Sequence, residues 1–138
     1  MADKSVENLR IPENEKENVA RLVGALKKAG LELGYDIKTE VVGGVLSKPW
    51  PRKDIDITVK TGKKGKGETG LDRANDEFNT LSEIAKKATE IDEHFSISTA
   101  IKPAMDEEFD SPNILKFDGL IRIKPKMGTQ IELIRKNE

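Results

Sequence analysis

The sequence predicts an α+β domain with a mixed, mainly antiparallel sheet and helices packed on one face. Three observations lead there. Two long segments repeat apolar residues at three and four positions, several short segments alternate apolar with polar, and the link between the first two alternating segments is too short for an ordinary parallel crossover. The 138 residues fit one domain, drawn as a flexible N-terminal segment over 1–11 and a single domain over 12–138.

Pro12 offers a first helical position, followed by Glu13, Glu15 and Glu17, where the helix dipole favours negative charge. Val19, Leu22, Val23, Leu26 and Ala29 then make one apolar face, and Gly30 and Gly34 stand where the helix should stop. Tyr35 to Val42 reads as a strand running into Gly43-Gly44, and Pro49-Trp50-Pro51 forbids regular structure after it. Asp54 to Lys60 alternates strictly, with Ile55, Ile57 and Val59 on one side and Asp54, Asp56, Thr58 and Lys60 on the other. Thr61 to Gly70 reads as a flexible, locally basic loop containing Lys63, Lys64 and Lys66.

A second helix is expected next, buried along Ala74, Phe78, Leu81, Ala85 and Ala88, with Glu83 and Lys87 spaced for an i,i+4 pair outside. Phe95 to Ile101 alternates as a strand, and Pro103 to Asn113 reads as an acidic loop. Ile114 to Ile123 and Thr129 to Ile134 read as two strands joined around residues 124–128 as an antiparallel hairpin.

Composition narrows the function. Charged residues are 36% of the chain, but 24 basic against 25 acidic residues give a net charge of -1, which does not describe a globally basic nucleic-acid binder. With no cysteine, disulfides, thiolate zinc sites and cysteine nucleophiles are excluded. The first residues lack the apolar region of a secretory leader and no apolar run reaches the length of a membrane span, so a cytoplasmic chain without membrane association is expected.

Asp54 and Asp56 lie on one side of a strand, about 6.5–7 Å of backbone apart, and can lean toward one hard cation. Magnesium takes oxygen ligands and commonly uses one or two carboxylates with waters and substrate phosphates. A third carboxylate from a neighbouring strand would complete a site for one or two ions in phosphoryl transfer. Gly43 and Gly44, ten residues before Asp54, let the backbone approach a bulky anion, and a short helical turn over Val45, Leu46 and Ser47 would add to that cradle. Lys48, Arg52 and Lys53 flank the motif as phosphate contacts or as solvated charge.

Val41-Val42-Gly43-Gly44 followed by Arg52-Lys53-Asp54-Ile55-Asp56-Ile57 resembles the signature of the DNA polymerase beta-like nucleotidyltransferase superfamily. The resemblance implies a minimal nucleotidyltransferase domain that moves a nucleoside monophosphate from a triphosphate, with ATP expected as co-substrate, to a hydroxyl-type acceptor. It implies Mg2+ or Mn2+ held by Asp54 and Asp56, with Gly43, Gly44, Ser47, Lys48 and Arg52 around the nucleotide. Glu132, in Ile131-Glu132-Leu133, matches the third acid, and Asp118 competes for that role. The chain departs from the family where Ser47-Lys48-Pro49-Trp50-Pro51 replaces a small or Gly-Arg segment, and where the third acid is Glu in place of Asp.

The acceptor stays open among a small molecule, a protein side chain and an RNA end, and a homodimer or a small protein partner is compatible with the size. The alternative reading is a non-catalytic nucleotide- or partner-binding relative of the same fold, as in a toxin–antitoxin-like component. Trp50, the single tryptophan, could stack on a base or cap the core. His94, the single histidine, reads as an exposed or capping residue, not a base.

Overall fold

A computed structural model of the chain describes residues 9–138. Its elements in order are α1 (Glu13–Leu33), β1 (Lys38–Val42), the one-turn helix α2 (Gly44–Ser47), β2 (Asp54–Lys60), α3 (Gly70–Ile91), β3 (Phe95–Ile101), β4 (Ala104–Asp106), a 3-10 turn (Glu107–Phe109), β5 (Ser111–Phe117), β6 (Leu120–Pro125) and β7 (Gln130–Arg135). Five strands form a sheet in the order β1-β2-β7-β6-β3, and β4 and β5 form a separate hairpin. Among the described strands only β2 and β7 run parallel; the β1–β2, β6–β7, β3–β6 and β4–β5 pairs are antiparallel. The expected α+β class and mainly antiparallel sheet are therefore seen.

The core explains this layout. Val19, Leu22, Leu26 and Ala29 of α1 and Phe78, Leu81, Ile84 and Ala85 of α3 are buried in one cluster with Ile55 and Ile57 of β2, Ile131 and Leu133 of β7, and Ile121 and Ile123 of β6. Each strand contributes alternate residues to that side, so the intervening residues face away from the helices. Asp54, Asp56 and Glu132 belong to that second set, and all are half-buried there.

Several elements differ from the sequence reading. The first strand is confined to Lys38–Val42, although Ile37 just before it is buried. Gly30 does not stop α1; it lies inside the helix, and a Cβ there would meet Ile37 Cγ1 at 2.3 Å, so the glycine admits Ile37 to the core. Gly34, at φ 86°, is the actual stop. The expected strand over 114–123 is broken at Asp118-Gly119, where the chain leaves the accessory hairpin for the main sheet. Residues 103–113 are not merely a loop, since they hold β4, the 3-10 turn and the start of β5.

Lys87 pairs with Glu32 at 3.6 Å and Glu90 at 3.9 Å, and no pair with Glu83 forms among the described residues. The basic loop is anchored as well: Gly65 N–H donates to Glu77 at 2.9 Å and Lys66 N–H to Asp76 at 2.8 Å, both on α3. Leu9 is buried, so the core reaches further toward the N-terminus than residue 12; residues 1–8 lie outside the described part of the chain.

Two polar clamps place the strands of the site. The Glu15 carboxylate, buried in the first turn of α1, accepts hydrogen bonds from the Thr129 N–H at 3.0 Å and hydroxyl at 3.1 Å, while Asn18 donates to the Met127 carbonyl at 2.7 Å. The β6–β7 turn is thereby docked on α1. At the far end of β7, the fully buried Arg135 guanidinium donates to Glu77 of α3 at 2.7 Å and to the Asp118 carbonyl at 2.7 Å. The β7 strand is thus held from both ends.

Candidate functional site

Register brings the acids together. In the parallel β2–β7 pair, Asp56 faces Glu132 and Asp54 faces Gln130. On the other side of β2, Asp56 faces Val42, the residue before Gly43, and across β6–β7 Glu132 faces Arg122. One row of the open sheet face therefore reads Val42, Asp56, Glu132, Arg122, with neighbouring strands about 4.8 Å apart. Glu132 holds the position beside Asp56. Asp118 stands elsewhere, in the turn before β6, 3.3 Å from Arg135 at the opposite end of β7.

The glycine turn closes against the same row. Gly43 has φ 81° and ψ -153°, a backbone region essentially restricted to glycine. A Cβ on Gly43 would lie 2.7 Å from Asp56 Oδ2, and one on Gly44 would lie 2.6 Å from an Arg52 guanidinium nitrogen. Gly43 is required by its backbone and by the Asp56 carboxylate beside it, whereas at Gly44 the neighbour is the movable end of Arg52. The short α2 anticipated over residues 45–47 forms, starting at Gly44.

Electrostatics follow from this crowding. Burial, reinforced by the charge of Asp54, holds the Asp56 carboxyl above its ordinary range, and Arg52 partly opposes the shift. Glu132 is likewise raised, first by burial and then by Asp54 and Asp56, against the lowering effect of Arg122. The Gln130 side-chain amide donates to Asp54 Oδ1 at 2.7 Å, and Arg122 Nε donates to Glu132 Oε1 at 3.3 Å.

A hollow of about 390 Å³ opens at this place, lined by Gly44, Pro51, Arg52, Lys53, Asp54 and Asp56. Ser47 and Lys48 are not part of it; they line a neighbouring cavity of about 490 Å³ with Leu9, Arg10, Val45, Leu46, Pro49 and Trp50. The structure thus gathers Gly43, Gly44, Arg52, Asp54, Asp56 and Glu132, and sets Ser47 and Lys48, at the end of α2, on the neighbouring cavity. His94 is remote from this set, since its Nε2 hydrogen-bonds Asn18 Oδ1 at 2.9 Å and its ring meets Phe95 edge-on.

Comparison with protein-family models, with curated proteins and with solved structures gives no match. The chemistry of the site therefore rests on its own residues. The donors suit a hard cation: all three acids offer oxygen, and like charges pressed together on a half-buried face favour a positive partner. As they stand, no three acidic or histidine side chains among the described residues converge into a metal-holding group. Gln130 and Arg122 hydrogen-bond Asp54 and Glu132 there. Asp54 and Asp56, on one side of β2, are the carboxylates that could hold a divalent ion, and Glu132, bonded to Arg122 through Oε1, has Oε2 left to offer.

Gln130 and Arg122 were not singled out from the sequence, although a signal existed. A hairpin turning about Met127 places Arg122 opposite Glu132, and Gln130 lies two residues before Glu132 on the same side of β7. Among the described residues no helix is long and apolar enough to cross a membrane.

Proposed function

We propose that the chain is a magnesium-dependent nucleotidyltransferase of the DNA polymerase beta-like type, moving a nucleoside monophosphate from a triphosphate to a hydroxyl acceptor. The observation that supports this reading is the alignment of Asp54, Asp56 and Glu132 on the sheet face turned away from α1 and α3, with Gly43 close against Asp56. In this reading the acceptor oxygen attacks the α-phosphorus, the bond to the bridging oxygen breaks, and pyrophosphate leaves.

Asp54 and Asp56 would hold Mg2+ or Mn2+, which when bound neutralises charge on the phosphate oxygens. Arg52, the cation beside Gly44 and Asp56, is placed to contact the triphosphate. The glycines leave the backbone free to approach it. Glu132, whose carboxyl is held above its ordinary range, can take the acceptor's proton on Oε2.

A second reading is supported by that Arg122–Glu132 contact. An arginine beside the third acid already supplies a cation, as in a relative that binds nucleotide or a partner without turnover. Label transfer separates the two. Incubation of the chain with α-labelled ATP, Mg2+ and a panel of acceptors (the chain itself, RNA ends and small hydroxyl compounds) is expected to transfer label, and Asp56→Ala to lose it while staying folded. ATP binding with no transfer to any acceptor in the panel would favour the non-catalytic relative.

A further inference from the structure

The 490 Å³ cavity beyond α2 is not used by the chemistry proposed above, yet it touches that site along the chain. Trp50 lines this cavity and the next residue, Pro51, lines the acidic hollow. On α2, Val45 lines the cavity and the preceding Gly44 lines the hollow. A single turn of helix and one peptide step therefore separate an acidic, arginine-bearing hollow from a larger space with a different lining.

That lining suits a flat ring. Leu9 and Val45 are buried and supply apolar walls, Leu46 is 59% exposed at the rim, and Trp50 packs its half-buried indole against the core. Arg10, Ser47 and Lys48 add polar and charged groups at the edge, so the lining is about as polar as it is apolar. An indole face favours stacking on a planar heteroaromatic ring, whose edge atoms can use those groups.

We propose that this cavity is the nucleoside subsite: it takes the heteroaromatic base of the ligand whose phosphates lie at Arg52, across Trp50-Pro51. The assignment rests on the triphosphate reading of the acidic hollow and adds the base as a separate source of affinity.

The single tryptophan of the chain lines this cavity, so its fluorescence follows the base, while calorimetry gives the affinity of each probe. Three probes are titrated: Mg-ATP, magnesium tripolyphosphate and adenosine. Mg-ATP is expected to bind about tenfold more tightly than tripolyphosphate, as one stacked ring allows. Adenosine is expected to quench Trp50 in the wild type and equally in Asp54→Ala/Asp56→Ala.

Leu46→Glu, at an exposed position, should bring Mg-ATP down to the tripolyphosphate level with the fold intact by circular dichroism. Equal affinity for Mg-ATP and tripolyphosphate, with adenosine leaving the fluorescence unchanged, overturns the subsite and leaves the triphosphate reading standing. Quenching by adenosine without binding of tripolyphosphate supports the cavity and removes the reading of the acidic hollow. No response to any of the three overturns both.

Discussion

Arg122 and Glu132 face each other across the β6–β7 hairpin, with Arg122 Nε donating to Glu132 Oε1 at 3.3 Å. The Glu132 side chain is only 13% exposed, and this guanidinium offsets part of the effect of burial and of Asp54 and Asp56, which still leave its carboxyl raised. Arg122→Ala should therefore raise the Glu132 carboxyl further and free it for a divalent ion. Mn2+ affinity, read by electron paramagnetic resonance, is expected to rise several-fold at neutral pH, by about the worth of one partly exposed ion pair. Unchanged or weaker Mn2+ binding would show that Glu132 takes no part in holding the ion.

The raised carboxyls of Asp56 and Glu132 set a pH dependence. In the proposed site Asp56 holds the ion as a carboxylate, so affinity should fall, as pH is lowered, earlier than for an ordinary carboxylate. Stability moves the opposite way: a carboxyl raised by folding favours the folded state below its unfolded value, and that contribution is lost as pH rises through the folded value. Asp56→Asn is thus expected to melt higher than the wild type at pH 7 without metal, and to lose that advantage below the ordinary aspartate value. Thermal melts at the two pH values check this, and a lower melting temperature for Asp56→Asn at pH 7 would contradict it.

Gly43 combines a glycine-restricted backbone with a position where an added Cβ would lie 2.7 Å from Asp56 Oδ2. Gly43→Ala should cost about 1–3 kcal/mol of stability from backbone strain alone. Because the added methyl also displaces the carboxylate, metal-dependent nucleotide binding should weaken beyond any loss of folded fraction. Denaturant titration and binding measured on the same preparation separate the two effects.

The buried Arg135–Glu77 pair is the structural counterpart of the site. Arg135 is 1% exposed and Glu77 8%, at 2.7 Å. Removing one partner strands a buried charge, so Glu77→Ala is expected to destabilise the fold by about 3–5 kcal/mol. The double change Glu77→Leu/Arg135→Met should recover much of that loss, as read from urea midpoints. Glu77 also holds the Gly65 amide, so the basic loop should become more susceptible to proteolysis in Glu77→Ala.

The readable parts of the fold are those governed by local periodicity. Asp54 to Lys60 forms the strand its alternation demands, and Ala74, Phe78, Leu81, Ala85 and Ala88 are buried on α3 as their spacing requires. What escaped depends on partners distant in sequence. Gln130 meets Asp54 across 76 residues, and Glu77 meets Arg135 across 58. Glu77 does fall on the α3 apolar stripe, three residues after Ala74, which marks it for a buried partner without naming that partner. The break at Asp118-Gly119 escaped because an apolar–polar alternation looks the same whether it runs through one strand or through two strands in different sheets.

In the proposed function Asp54 and Asp56 join a divalent ion to a nucleoside triphosphate. Calorimetric titration with ATP, with and without Mg2+, on the wild type and on Asp54→Ala/Asp56→Ala tests it most directly. The expected result is binding that requires Mg2+ in the wild type and is absent from the folded double variant. ATP binding of equal strength in both proteins, or none in a demonstrably folded wild type, would contradict it.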